Sequence, residues 1–178
     1  MTLIIWVSDG VLSAYDADLL YRCRQHPSAA VVDHSKTREK SVSVQKSFIA
    51  EASSAFGFLV SDFRFAGPEF REFVLPSLSY VGRGATYRVM LDADDKAVLT
   101  RAEAEVGSKH LVAELEDLVE AAKLGARNHV VMTVTTLRGL RHALESQANF
   151  VRLLQPHMAP DNLVSLMRLA NAREWDMR

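Results

Sequence analysis

The sequence predicts an α/β fold, a mixed sheet of about four to six strands covered by helices, with a helical C-terminal region. Three observations carry this. Short β-rich runs at residues 3–7, 58–65, 86–91 and 128–134 alternate with stretches whose apolar residues recur at helical spacing. Gly67-Pro68 follows the second run and precedes Phe70, Phe73 and Val74, which fall on one helical face, so the segment reads as strand, tight turn and helix, half of a βαβ unit. Gly and Asp clusters punctuate the runs where turns are needed. The rival architecture is a mainly helical bundle packed through residues 44–56, 111–124 and 137–154.

Each element has a local reason. Residues 3–7 are continuous and apolar, the pattern of a strand buried on both faces, and Ser8-Asp9-Gly10 ends it. Residues 11–24 fit either a helix through Leu12, Tyr15, Leu19 and Cys23 or a hairpin through 15–18. Residues 33–43 are polar and read as an exposed basic loop. Val44, Phe48, Ile49, Ala52 and Phe56 then set out a helix. Gly82 and Gly84 mark a turn before the strand at 86–91, which Asp92, Asp94 and Asp95 close. Residues 96–124 read as two helices divided at Gly107-Ser108, with Gly125 as C-cap. After a strand at 128–134, Thr135 or Thr136 caps a helix with Leu137, Leu140, Leu144 and Val151 inward, and Pro156 stops it. Ala159-Pro160-Asp161 opens a last helix, and the tail from Arg173 is polar apart from Trp175 and Met177. The expected organisation is an α/β core over 1–106 and a helix–strand–helix extension over 107–178, packed on the core or forming one domain with it.

Composition narrows the function classes. Of the 178 residues, 48% are hydrophobic and 24% charged, as in ordinary globular proteins, and the net charge of −1 exerts no general pull on nucleic acid or membrane. A single cysteine, Cys23, excludes an internal disulfide and a cysteine-built zinc site. The opening apolar run lacks a basic flank and stops at Asp9, too short for a signal peptide or a membrane span, so the expected location is cytoplasmic, without membrane partners. Charge is segregated. Residues 22–46 hold six basic against two acidic side chains, 92–120 nine acidic against three basic, and 121–178 eight basic against four acidic. Such a division suits a basic face for phosphate backbones, complementary faces between subunits, or a plain solvated surface.

Several groups are candidates for chemistry. If the strands at 3–7 and 86–91 are parallel neighbours, Asp9, Asp92 and Asp94 meet at their carboxyl ends, where open α/β sheets place ligands. Clustered carboxylates there can hold Mg²⁺ for phosphodiester hydrolysis; the competing reading is that Asp ends strands and caps turns. Arg138 with His142 and Arg152 with His157 pair a phosphate-holding group with one that titrates near neutrality, against the competing reading of a solvated face. Cys23 lies between two arginines that would lower its pKa, but without a base in sequence context it reads as structural. Glu69 and the missing N–H of Pro68 argue that the 67–68 turn is not an anion cradle.

Residues 4–10, Phe65-Ala66-Gly67-Pro68-Glu69-Phe70 and residues 89–94, in this order of elements, resemble the middle domain of the archaeal and eukaryotic peptide-chain release factor and Pelota group. The resemblance extends to its bacterial relatives of the host attachment type. Residues 113–154 resemble the start of the third domain of that group. The resemblance implies binding at the ribosome or on structured RNA; without a Gly-Gly-Gln tripeptide it implies no peptidyl-tRNA hydrolysis.

The expected function is therefore a non-catalytic binding protein that contacts RNA or ribosomes through Lys36, Arg38, Lys40 and Lys46 and through Arg138, Arg141 and Arg152. The alternatives are a self-assembling or partner-binding scaffold, a homo-oligomer using the aliphatic helices and the Trp175 and Met177 tail, and a metal-dependent phosphodiester hydrolase on Asp9, Asp92 and Asp94. Only the last requires a cofactor.

Overall fold

The computed structural model describes residues 34–72, 74–82 and 84–177. By its contacts the chain divides into two compact units, Met1–His34 and Ser35–Arg178. The expectations for 3–7 and 11–24, Asp9 and Cys23 lie outside the described residues.

The chain enters through α1 (His34–Phe56), then α2 (Phe58–Ser61). The strands β1 (Ala66–Glu72), β2 (Pro76–Gly82), β3 (Ala85–Asp92), β4 (Ala97–Val106) and β5 (Lys109–Glu114) follow without interruption. The helices α3 (Leu115–Ala121), α4 (Leu137–Leu154) and α5 (Pro160–Leu169) come next, with short 3₁₀ turns at Arg127–His129 and Gln155–Met158, and β6 (Arg173–Asp176) returns to the sheet. The six strands lie side by side in chain order, every pair antiparallel. The fold class is the predicted one, a six-stranded sheet with helices and a helical C-terminal region. Among the described residues, no helix is long and apolar enough to cross a membrane.

Strand pleating sorts side chains to two faces. On the first, Tyr80 lies opposite Tyr87, Tyr87 opposite Ala102, and Ala102 opposite Ala113, all buried. The helices reach this face: Phe56 stacks on Tyr80 with centroids 6.2 Å apart, and Gln155 Nε2 donates to the Tyr87 hydroxyl at 2.9 Å. Val44, Phe48, Ala52 and Phe56 of α1 are buried, as are Leu140, Leu144 and Val151 of α4, in agreement with their periodicity. Thr136 caps α4, its hydroxyl accepting from the Gly139 N–H at 3.0 Å. α4 ends at Leu154 before Pro156, and Pro160 begins α5.

Six expectations are overturned. From His34 onward the stretch expected as a basic loop over 33–43 is helix, the start of α1. Residues 58–65 are not a strand. Phe58 and Leu59 are buried in α2, Phe58 stacking on Phe56, so the apolar run extends the α1 packing instead of entering the sheet. Gly67-Pro68 opens no helix; it lies inside β1, with a cis peptide bond and a bulge between Ala66 and Glu69. A helix there would have had to bury Phe70, which is 47% exposed at the sheet edge. Residues 97–106 and 109–114 are a hairpin turning at Gly107, φ +60, not two helices. Its Ala, Leu and Glu favour helix, but alternation puts Val98, Thr100, Ala102 and Ala104 inward against β3, and packing outweighs propensity. Residues 128–134 form no full strand, because a 3₁₀ turn leads into one isolated bridge, Thr133 to Ala97. Gly125 is also not the cap of α3: Lys123, at φ +57, takes the left-handed position.

Candidate functional site

The second face of the sheet is polar. Along one line of the register, Glu69, Ser79, Arg88, Arg101 and Glu114 lie opposite one another across β1 to β5, and beside it Thr86 faces Glu103. Glu103, its side chain 8% exposed, binds both guanidinium groups. Arg101 Nε donates to Oε1 at 2.7 Å, and Arg88 Nη2 to Oε2 at 3.0 Å. Arg88 Nε lies 2.9 Å from Oε1, but its N–H does not point at that oxygen, so the contact is an ion pair without a hydrogen bond. Two guanidiniums share one carboxylate, which leaves this cluster one positive charge in excess. The Ser79 hydroxyl, opposite Arg88, is buried and has no hydrogen-bond partner among the described residues.

Ser79, Thr86, Arg88 and Glu103 floor a cleft of about 530 Å³ whose rim includes Glu69 and Arg71 of β1 and His110 of β5. Arg71 donates to Glu69 through Nε at 3.2 Å and Nη2 at 3.1 Å. Further along the face, burial pushes the Glu114 carboxyl up; Glu116 adds to this, and Arg173, bound at 2.8 Å, opposes it. The cleft thus offers donors and carboxylates, several of them paired with each other.

The two ends of the sheet differ from its middle. All seven residues of β1 are exposed, and Val74 just beyond it is 81% exposed. At the other end, all four residues of β6 are exposed; Trp175 stands against His110 with centroids 4.8 Å apart, and Met177 is 38% exposed. The polar tail expected from Arg173 onward is a paired edge strand that displays these two apolar side chains. Glu174 binds Lys109 and Arg168, and these bonds hold its carboxyl below the usual range.

The side chains expected to bind RNA are spread over two helices. Lys36, Arg38, Lys40 and Lys46 belong to α1, where Lys46 is exposed. On α4, Arg138 is exposed and has no ion-pair partner among the described residues. Arg141 pairs with Glu51 of α1 at 2.7 Å, and its hydrogen bond holds the Glu51 carboxyl below the ordinary range. The Arg152 guanidinium lies 4.3 Å over the Phe58 ring. His142 and His157 are both exposed.

Asp92 does the work of a turn cap, its Oδ1 accepting the N–H groups of Asp94 at 3.0 Å and Asp95 at 2.9 Å, while Asp94 is exposed. Among the described residues, no three His, Cys, Asp or Glu side chains gather as a metal site would require. Sequence reasoning missed Ser79, Arg88, Arg101 and Glu103. The period-two run of Arg101, Glu103 and Glu105 between Thr100, Ala102 and Ala104 is the signal that could have found the last two.

The class of protein defined so far is an antiparallel sheet layered with helices on one face and bearing a polar cleft on the other. No family model, curated protein or solved structure matches the chain. Of the segments carrying the release-factor resemblance, Phe65 to Phe70 lead into β1, residues 89–94 run from β3 into its turn, and 4–10 lie outside the described residues.

Proposed function

We propose that this is a non-catalytic, partner-binding protein that receives a protein segment on the second face of its sheet. The observation that supports this is the cleft over Ser79, Arg88 and Glu103, where donors and acceptors of both signs lie together. Mixed polarity matches the mixed side chains of a polypeptide, whereas a groove that follows phosphates is dominated by Lys and Arg and poor in carboxylates such as Glu69, Glu103 and Glu105. Exposed Trp175 on the flanking strand β6, set against His110 of the cleft rim, supplies an apolar anchor of the kind protein interfaces use. A photo-crosslinking amino acid at Thr86, in the cleft, should capture discrete protein bands in the cells that make this protein. The same group at Asn149, exposed on α4, should not. Equal capture from both positions, or capture of RNA alone, would refute the reading.

A second reading, an RNA- or ribosome-associated protein, draws on Arg138, exposed and without an ion-pair partner among the described residues, and on the basic residues of α1. Its RNA affinity should fall as salt rises and fall further when Lys36, Arg38 and Lys40 are reversed to Glu. RNA retention unaltered by both changes ends it.

A further inference from the structure

We propose that β1 is a self-complementary dimerisation edge, pairing antiparallel with β1 of a second copy about a two-fold axis through Phe70. The inference goes beyond the cleft and needs nothing bound there, so either reading can fail alone.

The backbone geometry comes first. β1 ends the strand order, and no described strand pairs with its outer side. Glu69 faces Ser79 and Arg71 faces Ser77, and the Arg71 carbonyl accepts the Ser77 hydroxyl at 3.3 Å, so Arg71 directs its main chain toward β2. Pro76, which has no N–H to give, stands opposite Glu72, one residue on. Antiparallel ladders alternate, so the N–H and C=O groups of Phe70 and Glu72 point outward. With the axis on Phe70, that residue exchanges both main-chain bonds with its copy. The Glu72 N–H reaches the Pro68 carbonyl of the copy; the reciprocal bond is missing because proline has no N–H. The bulge between Ala66 and Glu69 ends the ladder.

Side chains select the same register. Glu69 and Arg71 project on one face, 55–58% exposed and bound to each other at 3.1 Å. About an axis at Phe70, Glu69 comes opposite Arg71 of the copy and Arg71 opposite its Glu69. Both ion pairs become cross-strand pairs of an isologous interface. A shift of two residues would set Glu69 against Glu69 or Arg71 against Arg71. Phe70, 47% exposed on the other face, meets Phe70 as an aromatic pair that shields both rings from water. Strand edges in monomers are guarded by charges, proline or bulges; on β1 the proline and the bulge are confined to residues 66–69, and Glu69 and Arg71 carry opposite charges that attract their counterparts in a copy, which leaves 70–72 open to pairing. The ladder is short, so the dimer is reversible.

Sedimentation velocity on the full chain from about 1 µM to about 500 µM, a range that brackets weak dimers, tests this. The wild type dimerises. Glu69→Arg and Arg71→Glu each replace two attractive pairs by two repulsive ones and weaken the dimer about tenfold or more. An equimolar mixture of the two single variants, and the double variant E69R/R71E, restores it. Because both side chains are exposed, circular dichroism should show all variants folded. A wild type that stays monomeric over the range overturns the proposal. So does a dimer indifferent to the single reversals, or singles rescued by neither the mixture nor the double variant.

Discussion

Replacing Gln147 by Leu should be among the most damaging single changes in this protein that keep side-chain volume nearly constant. Gln147 sits on α4 with no exposed surface and faces a gap in the sheet. β5 pairs with β4 only from Arg101 onward, so the first residues of β4 lie beside residues 130–134 instead. There one bridge, Ala97 to Thr133, joins them, with the Val98 N–H donating to the Met132 carbonyl at 2.9 Å. Gln147 Nε2 fills the remainder by donating to the carbonyls of Val98 and Val131, each at 2.8 Å, while Oε1 accepts the Thr100 hydroxyl at 2.7 Å. Leu supplies none of these bonds and leaves polar groups of β4 and of the bridge segment stranded. At ~1–3 kcal/mol for each buried group that loses its partner, and with carbonyls keeping part of their bonding elsewhere, the loss is about 3–5 kcal/mol. That is a large part of the ~5–15 kcal/mol typical of a domain, and it lowers the midpoint by roughly 6–20 °C. Urea unfolding with an unchanged slope measures it directly. Adding Thr100→Val removes one stranded hydroxyl, so the double variant should regain about 1 kcal/mol, whereas Thr100→Val in the wild type should lose about that much. A Gln147→Leu protein within about 1 kcal/mol of wild type would show that the bonds do not hold α4 to the sheet.

Other outcomes follow from the same structure. Gly67 has φ +123 and an added Cβ would lie 2.7 Å from the Ser79 carbonyl oxygen, so Gly67→Ala should cost about 2 kcal/mol or more. Gly107, at φ +60 with nothing within 4 Å, should cost only about 1 kcal/mol on the same change, and equal losses in the two melts would contradict this. Glu51 has its folded pKa lowered by Arg141, so its stabilisation is present above the ordinary value of 4.5 and is lost as pH falls through the folded value. The stability gap between wild type and Glu51→Gln should therefore close on acidification, and a gap unchanged at pH 3 speaks against the pair. Burial pushes Tyr80 from 10.0 up to about 12, so its stabilisation is intact below 10 and drains away as pH rises toward the folded value. Alkaline unfolding should begin at higher pH in Tyr80→Phe, which at neutral pH should be nearly silent because the hydroxyl has no partner among the described residues. Tyr87→Phe should instead cost about 1 kcal/mol by removing the Gln155 bond, and denaturant melts of the two variants decide between these outcomes.

How far the sequence reached depends on where each signal is stored. Thr136 before the apolar stripe of α4, Pro156 after it, Pro160 at the head of α5 and the Val44, Phe48, Ala52, Phe56 spacing of α1 are local devices, and all are found in place. β3 and its Asp92 turn were equally legible, because β-branched residues and an Asp cap act within a few positions. The same local rules misassigned residues 97–114. There, Ala, Glu and Leu favour helix by only tenths of a kcal/mol per residue, and eight facing positions between β3 and β4 decide for strand. Gly67-Pro68 looked like a helix start for the same reason; pairing with β2 made it part of an edge strand. The cleft lay furthest from view. Ser79, Arg88 and Glu103 stand on three strands, and only the antiparallel register brings a hydroxyl, a guanidinium and a carboxylate together on one face. Short-range sequence determined α4 with its Thr136 cap, the start of α5, the second half of α1 and one strand. Long-range strand pairing, which no local window contains, decided which residues face each other and therefore where the cleft lies.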